Sequence, residues 1–374
     1  MERLIRRSSL ADLYEKVSSG ERLSSQDGVR LYREPDLTAV GYLANLVRER
    51  KHGDITYYVR NQHINYTNVC NKFCRFCSFY ALPGDPRAYT LSPEEVGEKV
   101  RAYLHLPIRE IHMVGGVNPK LPYRYYLDLI RIVKEVRPDA HLKAFTMVEL
   151  YQIAKVAKRP LSEVLLELKT AGLDSIPGGG AEVFSERVHQ ELFPLKIGAE
   201  GWLEIARCAH QVGLRSNATM LYGHIETPEE KVEHLIRLRA LQDETKGFLA
   251  YVPLAFDPQH TELDHLPKTT GEADLREIAV ARLMLDNFDH VKAFWIMITP
   301  EVAQASLWYG ANDMDGTVLE YEITHALGTP SNHQALTRQK LVEMITEAGR
   351  VPVERDALYH RVDAERRQGI GADC

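Results

Sequence analysis

The sequence predicts an α/β fold, a parallel (β/α) barrel of the full eight-unit TIM type, with a helical extension at its N-terminus. Three observations predict it. After His52-Gly53-Asp54, short apolar or β-branched runs alternate with helix-length amphipathic segments, the pattern of repeated βα units. Polar or glycine-rich stretches recur just after those runs, where a barrel carries its active site. The length, 374 residues, suits one barrel with extensions.

Residues 1–55 read as helical, because Leu10, Leu13, Tyr14 and Val17 keep helical spacing, as do Val40, Leu43, Leu46 and Val47. Candidate strands follow at 63–67, 110–114, 141–145, 173–176, 216–222, 248–256, 292–297 and 307–311. Amphipathic helices are expected between most of them, at 93–104, 125–136, 162–171, 199–212, 228–242 and 273–287. The eighth strand has the least regular pattern, and a six-unit partial barrel with a C-terminal cap is the alternative. The expected division is a helical extension over 1–55, the barrel over 56–320 and a helical segment over 321–374 packed on the barrel.

The net charge of −6 comes without a long run of either sign, which argues against a broad nucleic-acid surface. No stretch approaches the roughly 20 apolar residues of a membrane helix. Mixed charges between Met1 and Gly20 deny the start of the chain a signal peptide's apolar core, so a cytoplasmic protein is expected. Of five cysteines, three fall within eight residues, a spacing that suggests a metal rather than a disulfide scaffold. Cys208 reads as a buried helical residue and Cys374 as part of a disordered tail.

Cys70, Cys74 and Cys77 form a C-x₃-C-x₂-C pattern after the first strand, with Phe76 immediately before the last cysteine. Three thiolates can hold three irons of a 4Fe-4S cubane and leave the fourth iron open. The amino and carboxylate groups of S-adenosylmethionine (SAM) suit that open position. The competing reading is structural zinc, which needs a fourth ligand such as His63 or His52.

Other stretches lie where a barrel mouth is expected. Gly115 and Gly116 follow the second strand and let backbone approach a ligand, or serve as a plain turn. Residues 177–182, Pro-Gly-Gly-Gly-Ala-Glu, put Glu182 near the mouth as a partner for the ribose or ammonium of SAM, or as a first-turn helix acid. On the fifth strand, alternation puts Asn217, Thr219 and Leu221 on one face, and Asn217 is a candidate SAM contact. His224 is a candidate acid/base group or a hydrogen-bonded structural histidine. Arg282, Lys143, Arg75 and Lys292 are the cations nearest the expected strand ends or facing helices. Each is a candidate for an anionic substrate and each reads equally as a surface charge.

The cysteine motif, its place after the first strand, and Phe76 resemble the radical SAM superfamily. That resemblance implies that the three cysteines hold the cluster, that the loop around Phe76 contacts adenine, and that the Gly115-Gly116 backbone receives the SAM amino group. Val117 stands where the family commonly has an acid, so only the backbone role carries over. His63-Ile64-Asn65-Tyr66-Thr67-Asn68, residues 177–182, 218–227 and 241–245 resemble the futalosine-pathway branch. Residues 142–146, 251–256 and 310–317 are similar to the aminodeoxyfutalosine synthases of menaquinone biosynthesis within that branch. The dehypoxanthine futalosine cyclases of the same pathway are the nearest rival, and the deazaflavin-precursor synthases a more distant one. The resemblance implies a transferase that adds the 5′-deoxyadenosyl radical to 3-[(1-carboxyvinyl)oxy]benzoate. It also implies a one-electron donor such as flavodoxin or ferredoxin.

Overall fold

Four helices, Glu2–Ile5, Ala11–Ser19, Ser25–Arg33 and Leu37–His52, precede the first strand. In the computed structural model, which describes residues 2–323 and 335–362, these helices follow local signals. Ser24 and Asp27 form a reciprocal capping box at the start of the third helix, and the Asp36 carboxylate accepts the Ala39 amide to start the fourth. The helical extension expected over 1–55 is therefore present up to His52.

Among the described residues ten strands follow: β1 (Ile55–Val59), β2 (Asn61–Asn65), β3 (Glu110–Val114), β4 (His141–Ala144), β5 (Ser175–Ile176), β6 (Arg215–Tyr222), β7 (Phe248–Ala255), β8 (His290–Val291), β9 (Asp313–Gly316) and β10 (Val351–Glu354). Strands β2 to β8 form one sheet in sequential order, parallel throughout, as right-handed βα units require. The segment 312–319 closes the ring. On the β8 side, the Asn312 amide donates to the Val291 carbonyl at 3.1 Å and the Ala293 amide donates to the Asp313 carbonyl at 2.8 Å. On the β2 side, the Leu319 amide donates to Asn61 at 3.3 Å and the His63 amide to Leu319 at 2.7 Å. The curled parallel α/β sheet is thus borne out, with seven strands in one sheet and the segment 312–319 bridging its two edges, but the segment that meets both edges is not where the sequence suggested an eighth strand.

Residues 307–311 form a turn after the helix Pro300–Ser306, and 292–297 run from the end of β8 into the short helix Trp295–Ile298. Short apolar runs do not distinguish a buried strand from a buried helical turn. The real eighth strand reads Asp-Met-Asp-Gly, with two buried carboxylates where an apolar pattern was sought. The C-terminal segment contains a helix, Arg338–Glu347, and also β10, which pairs in parallel with β1. Cys374 lies outside the described residues.

Outer helices start on the signals expected of them. Ser92 with Glu95 and Thr227 with Glu230 form capping boxes, each followed by proline at the first helical turn. The C-terminal ends of β2 to β7 all point to one face of the ring, and the long connections 66–92, 177–185 and 256–270 lie over it.

Candidate active site

One cavity of about 310 Å³ opens at that face. It brings together Cys70, Cys74, Cys77, Phe76, Gly115, Gly116, Glu182 and Asn217, which the sequence had placed on four separate segments.

The cysteine loop is pinned on both sides. Asn68 donates to the Arg87 carbonyl and accepts the Tyr89 amide, each at 2.8 Å, while the Cys70 amide donates to Ala81 at 3.2 Å. The Cys77 amide donates to the Cys74 carbonyl at 3.0 Å, closing a tight turn between two of the thiols. Cys74 is buried, and burial pushes its thiol up to about 12 against the pull of Lys196. Among the described residues, no three His, Cys, Asp or Glu side chains converge on a point to hold a single ion. Three thiols lining one cavity fit a cubane, in which each thiolate serves its own iron.

The second loop is fastened to the first. The Gly116 amide donates to the Thr67 carbonyl at 2.7 Å, and the Asn71 amide donates to the Val117 carbonyl at 3.1 Å. A Cβ on Gly116 would stand 2.5 Å from the Val69 carbonyl oxygen, so only glycine lets the two segments come this close. Gly178 is held as tightly, at φ 78° with its would-be Cβ 1.9 Å from the Asn217 carbonyl oxygen. On the facing wall, the Asn217 side-chain oxygen is buried and, among the described residues, has no hydrogen-bond partner. It is a free acceptor for an ammonium or hydroxyl of a bound molecule. Glu182 forms a buried ion pair with Lys196, whose ammonium lies 5.2 Å from the Phe76 ring centroid. Burial alone would lower the Lys196 pKa, but Cys74 and Glu182 outweigh it and raise it.

Two residues proposed for chemistry lie elsewhere. Arg282 is fully buried and donates to the Gly310 carbonyl at 2.8 Å, the Asp289 carbonyl at 3.0 Å and the Asn312 side chain at 2.6 Å. Its helix, Gly271–Met284, runs antiparallel to the strands, so its C-terminal turn lies at the N-terminal end of β8, away from the mouth. Arg282 therefore ties the barrel's closed end together and is not a cation facing substrate. His224 accepts the Ile225 amide on Nδ1 at 2.8 Å, which leaves Nε2 to donate to the Leu221 carbonyl at 3.0 Å. Both nitrogens are engaged by its own loop, with the Glu226 carboxylate also 3.0 Å from Nδ1, and His224 does not line the cavity, which supports the structural reading. Of the other cations, Arg75 pairs with Glu262 and Lys143 with Glu110, while Lys292 lines the cavity.

Sequence reasoning missed Lys196 and Glu149. Lys196 sits in a short connection after the helix Glu186–Leu192, with no pattern to mark it. Glu149 had a signal, the capping box Thr146-x-x-Glu149 that starts the helix Met147–Ala157. Its carboxylate also accepts the Gly115 amide at 3.0 Å and the Tyr66 hydroxyl at 2.7 Å.

A family model for the radical SAM superfamily matches residues 64–238, and one for the CofH/MqnC C-terminal region matches residues 245–367. Aminodeoxyfutalosine synthase of Thermus thermophilus is 50% identical over 362 residues, 96% of this chain and 97% of that one. The chain belongs to the radical SAM superfamily. As a radical SAM enzyme it uses a 4Fe-4S cluster and SAM, and Cys70, Cys74 and Cys77 are the thiols that match the cluster motif. Another radical SAM relative, cyclic dehypoxanthine futalosine synthase of Halalkalibacterium halodurans, is 38% identical over 94% of each chain. In fold, the radical SAM barrel superimposes on methylornithine synthase with a TM-score of 0.72 at 18% identity, covering 91% of this chain and 97% of that one.

Glu149 offers a test of how this radical SAM site is held. Burial pushes its carboxyl up to about 7, against hydrogen bonds from Tyr66, Thr146 and Gly115. All three neighbours donate, so the ionised form is the one that holds the Gly115 backbone in place. Glu149→Gln is expected to weaken SAM binding about tenfold, the scale of a lost charge-assisted hydrogen bond. The wild type should also lose SAM affinity as pH falls from 8 to 6 and the carboxylate takes up a proton. Equilibrium dialysis checks both, and a variant with wild-type affinity and the same pH profile would remove Glu149 from the SAM site.

Proposed function

We propose that the chain is an aminodeoxyfutalosine synthase, a transferase of menaquinone biosynthesis. It joins the 5′-deoxyadenosyl group of SAM to the vinyl carbon of 3-[(1-carboxyvinyl)oxy]benzoate. Rearrangement onto the aromatic ring and loss of the carboxyl carbon as bicarbonate give 6-amino-6-deoxyfutalosine, with methionine released. Held by Cys70, Cys74 and Cys77, the cluster would supply the electron that breaks the S–C5′ bond of SAM and would take one back as the rearranged radical becomes closed-shell product.

The observation that carries this reading is the continuity of one cavity. The thiols and the glycine cradle line one end, and His63, His112, Phe294, Tyr321 and Lys292 line the other. Two molecules therefore meet in one space, with one held at the cradle and the other against rings and a buried cation. Phe76, Gly115, Gly116, Glu182 and Asn217 position SAM. The apolar wall of Val252, Leu254 and Phe256 keeps water from the reacting carbons. A near-attack arrangement of C5′ and the vinyl carbon follows from holding both partners at fixed ends. The electron comes from a low-potential carrier such as flavodoxin or ferredoxin, and the reaction is read as cytoplasmic. Among the described residues, no helix is long and apolar enough to cross a membrane.

The test is anaerobic incubation of reconstituted protein with dithionite, SAM and 3-[(1-carboxyvinyl)oxy]benzoate, followed by mass analysis of the nucleosides. Aminodeoxyfutalosine is the expected product. Free 5′-deoxyadenosine without an adduct would move the substrate to that of the cyclases.

A further inference from the structure

The end of the cavity away from the cysteines carries a charge arrangement that the chemistry at the mouth does not use. Three buried ion pairs lie there or just beneath it: Lys143 with Glu110 at 2.7 Å, Lys292 with Asp315 at 3.0 Å, and Arg355 with Asp313 at 2.7 Å. Only the middle pair lines the cavity. The remaining charges on the cavity wall are at other places. Glu182 and Lys196 are committed to each other, Asp257 pairs with Lys268, and Lys72 sits in the cysteine loop. Among the described residues lining this far end, Lys292 is the sole cation.

Rings surround it. His63 and His112 stack at 4.5 Å with their planes 4° apart, and Phe294 and Tyr321 meet His63 at 6.4 and 5.7 Å. Burial holds His63 down to about 4, so the histidine edge is neutral and does not compete for an anion. An aromatic ring fits such a wall, and a carboxylate on that ring would meet Lys292.

Arg355 makes an exchange of partners possible. Its Nε donates to Asp313 at 2.7 Å, while its Nη2 stands 4.0 Å from the Asp315 carboxylate. Arg355 is fully buried, and among the described residues Nη2 has no hydrogen-bond partner. A buried guanidinium donor without an acceptor is costly, and the Asp315 carboxylate, 4.0 Å away, is within a small shift of satisfying it.

We infer that Lys292 is the counter-ion for the ring carboxylate of the substrate, that Asp315 holds its place until substrate arrives, and that Arg355 takes up the Asp315 carboxylate then released. The inference rests on the synthase reading above. The vinyl ether end of the substrate faces SAM, and the ring carboxylate, at the opposite end of the molecule, is the group that reaches Lys292. The exchange keeps every buried carboxylate next to a cation throughout, which a simple insertion of the substrate anion would not do.

The experiment uses the reconstituted enzyme, with the substrate and its analogue lacking the ring carboxylate, the 1-carboxyvinyl phenyl ether. In the wild type the analogue is expected to raise KM about thirtyfold or more, the scale of a desolvated charge pair. Lys292→Met is expected to raise KM for the substrate by a similar factor and to treat substrate and analogue alike, with SAM affinity and cluster absorption unchanged. Asp315→Asn, which frees Lys292, is expected to lower KM for the substrate several-fold, whereas a purely structural pair would make it fail as Lys292→Met does. The double variant Lys292→Met with Asp315→Asn leaves no unpaired charge and repeats the Lys292→Met result if the fold is sound. A Lys292→Met enzyme that still discriminates against the analogue, or an Asp315→Asn enzyme with KM raised, would overturn the assignment. Wild-type enzyme that forms no adduct at all in the same assay would instead overturn the synthase reading.

Discussion

Cys74→Ala is expected to abolish product formation and SAM cleavage together. Cys74 is the most buried of the three thiols, and its loop is fixed by backbone bonds to Ala81 and Val117 that alanine leaves intact. The substitution therefore removes a ligand without unfolding the loop. Its effect exceeds that of any contact to SAM, because two thiols leave a second iron without a protein ligand. Iron content and visible absorption after anaerobic reconstitution should fall with activity, while the melting temperature of the metal-free protein should stay near the wild-type value. Cys208→Ala is the control. Cys208 lies on the outer helix Ala199–Gln211, away from the cavity, and its loss should leave both readouts unchanged. A Cys74→Ala protein that keeps a full cluster and turns over would remove this loop from cluster binding.

The cysteines were legible because their chemistry is written in local spacing, and the glycine segments because close backbone approach admits no other residue. Most of the barrel was legible for a related reason: β3, β6 and β7 are long enough for alternation or an apolar run to stand out. The eighth strand was not. Asp313 and Asp315 break its apolar pattern, and the cations that make their burial tolerable, Arg355 and Lys292, are remote in sequence from them or lie on another strand. Arg282 was misread for the opposite reason. A cation on a helix beside the barrel looks available, and only the antiparallel run of that helix sends its last turn to the closed end. Lys196 could not be found at all, because its role depends on Glu182 and Cys74 meeting it across separate loops.

The same logic of remote pairing predicts the largest loss of stability. Lys143 and Glu110 are each 1% exposed and bonded at 2.7 Å on neighbouring strands β4 and β3. Burial alone would raise the Glu110 carboxyl, yet Lys143 and the cations behind it hold it well below the ordinary range. Burial also lowers the Lys143 ammonium, but Glu110 pulls it back, and the 2.7 Å contact is that of an ion pair. Lys143→Met strands a carboxylate in the barrel interior and is expected to cost about 3–5 kcal/mol. In a chain of this size that is a fall of roughly 4–6 °C in the apparent melting temperature. Glu110→Gln should cost nearly as much by stranding the ammonium. The double variant, with Lys143→Met and Glu110→Gln together, should recover most of the loss, since no unpaired charge remains and the volumes are close. Differential scanning calorimetry of the three metal-free proteins decides it. If the double variant melts no higher than either single one, the interior depends on these side chains for packing rather than for charge balance, and the pair is not what holds β3 to β4.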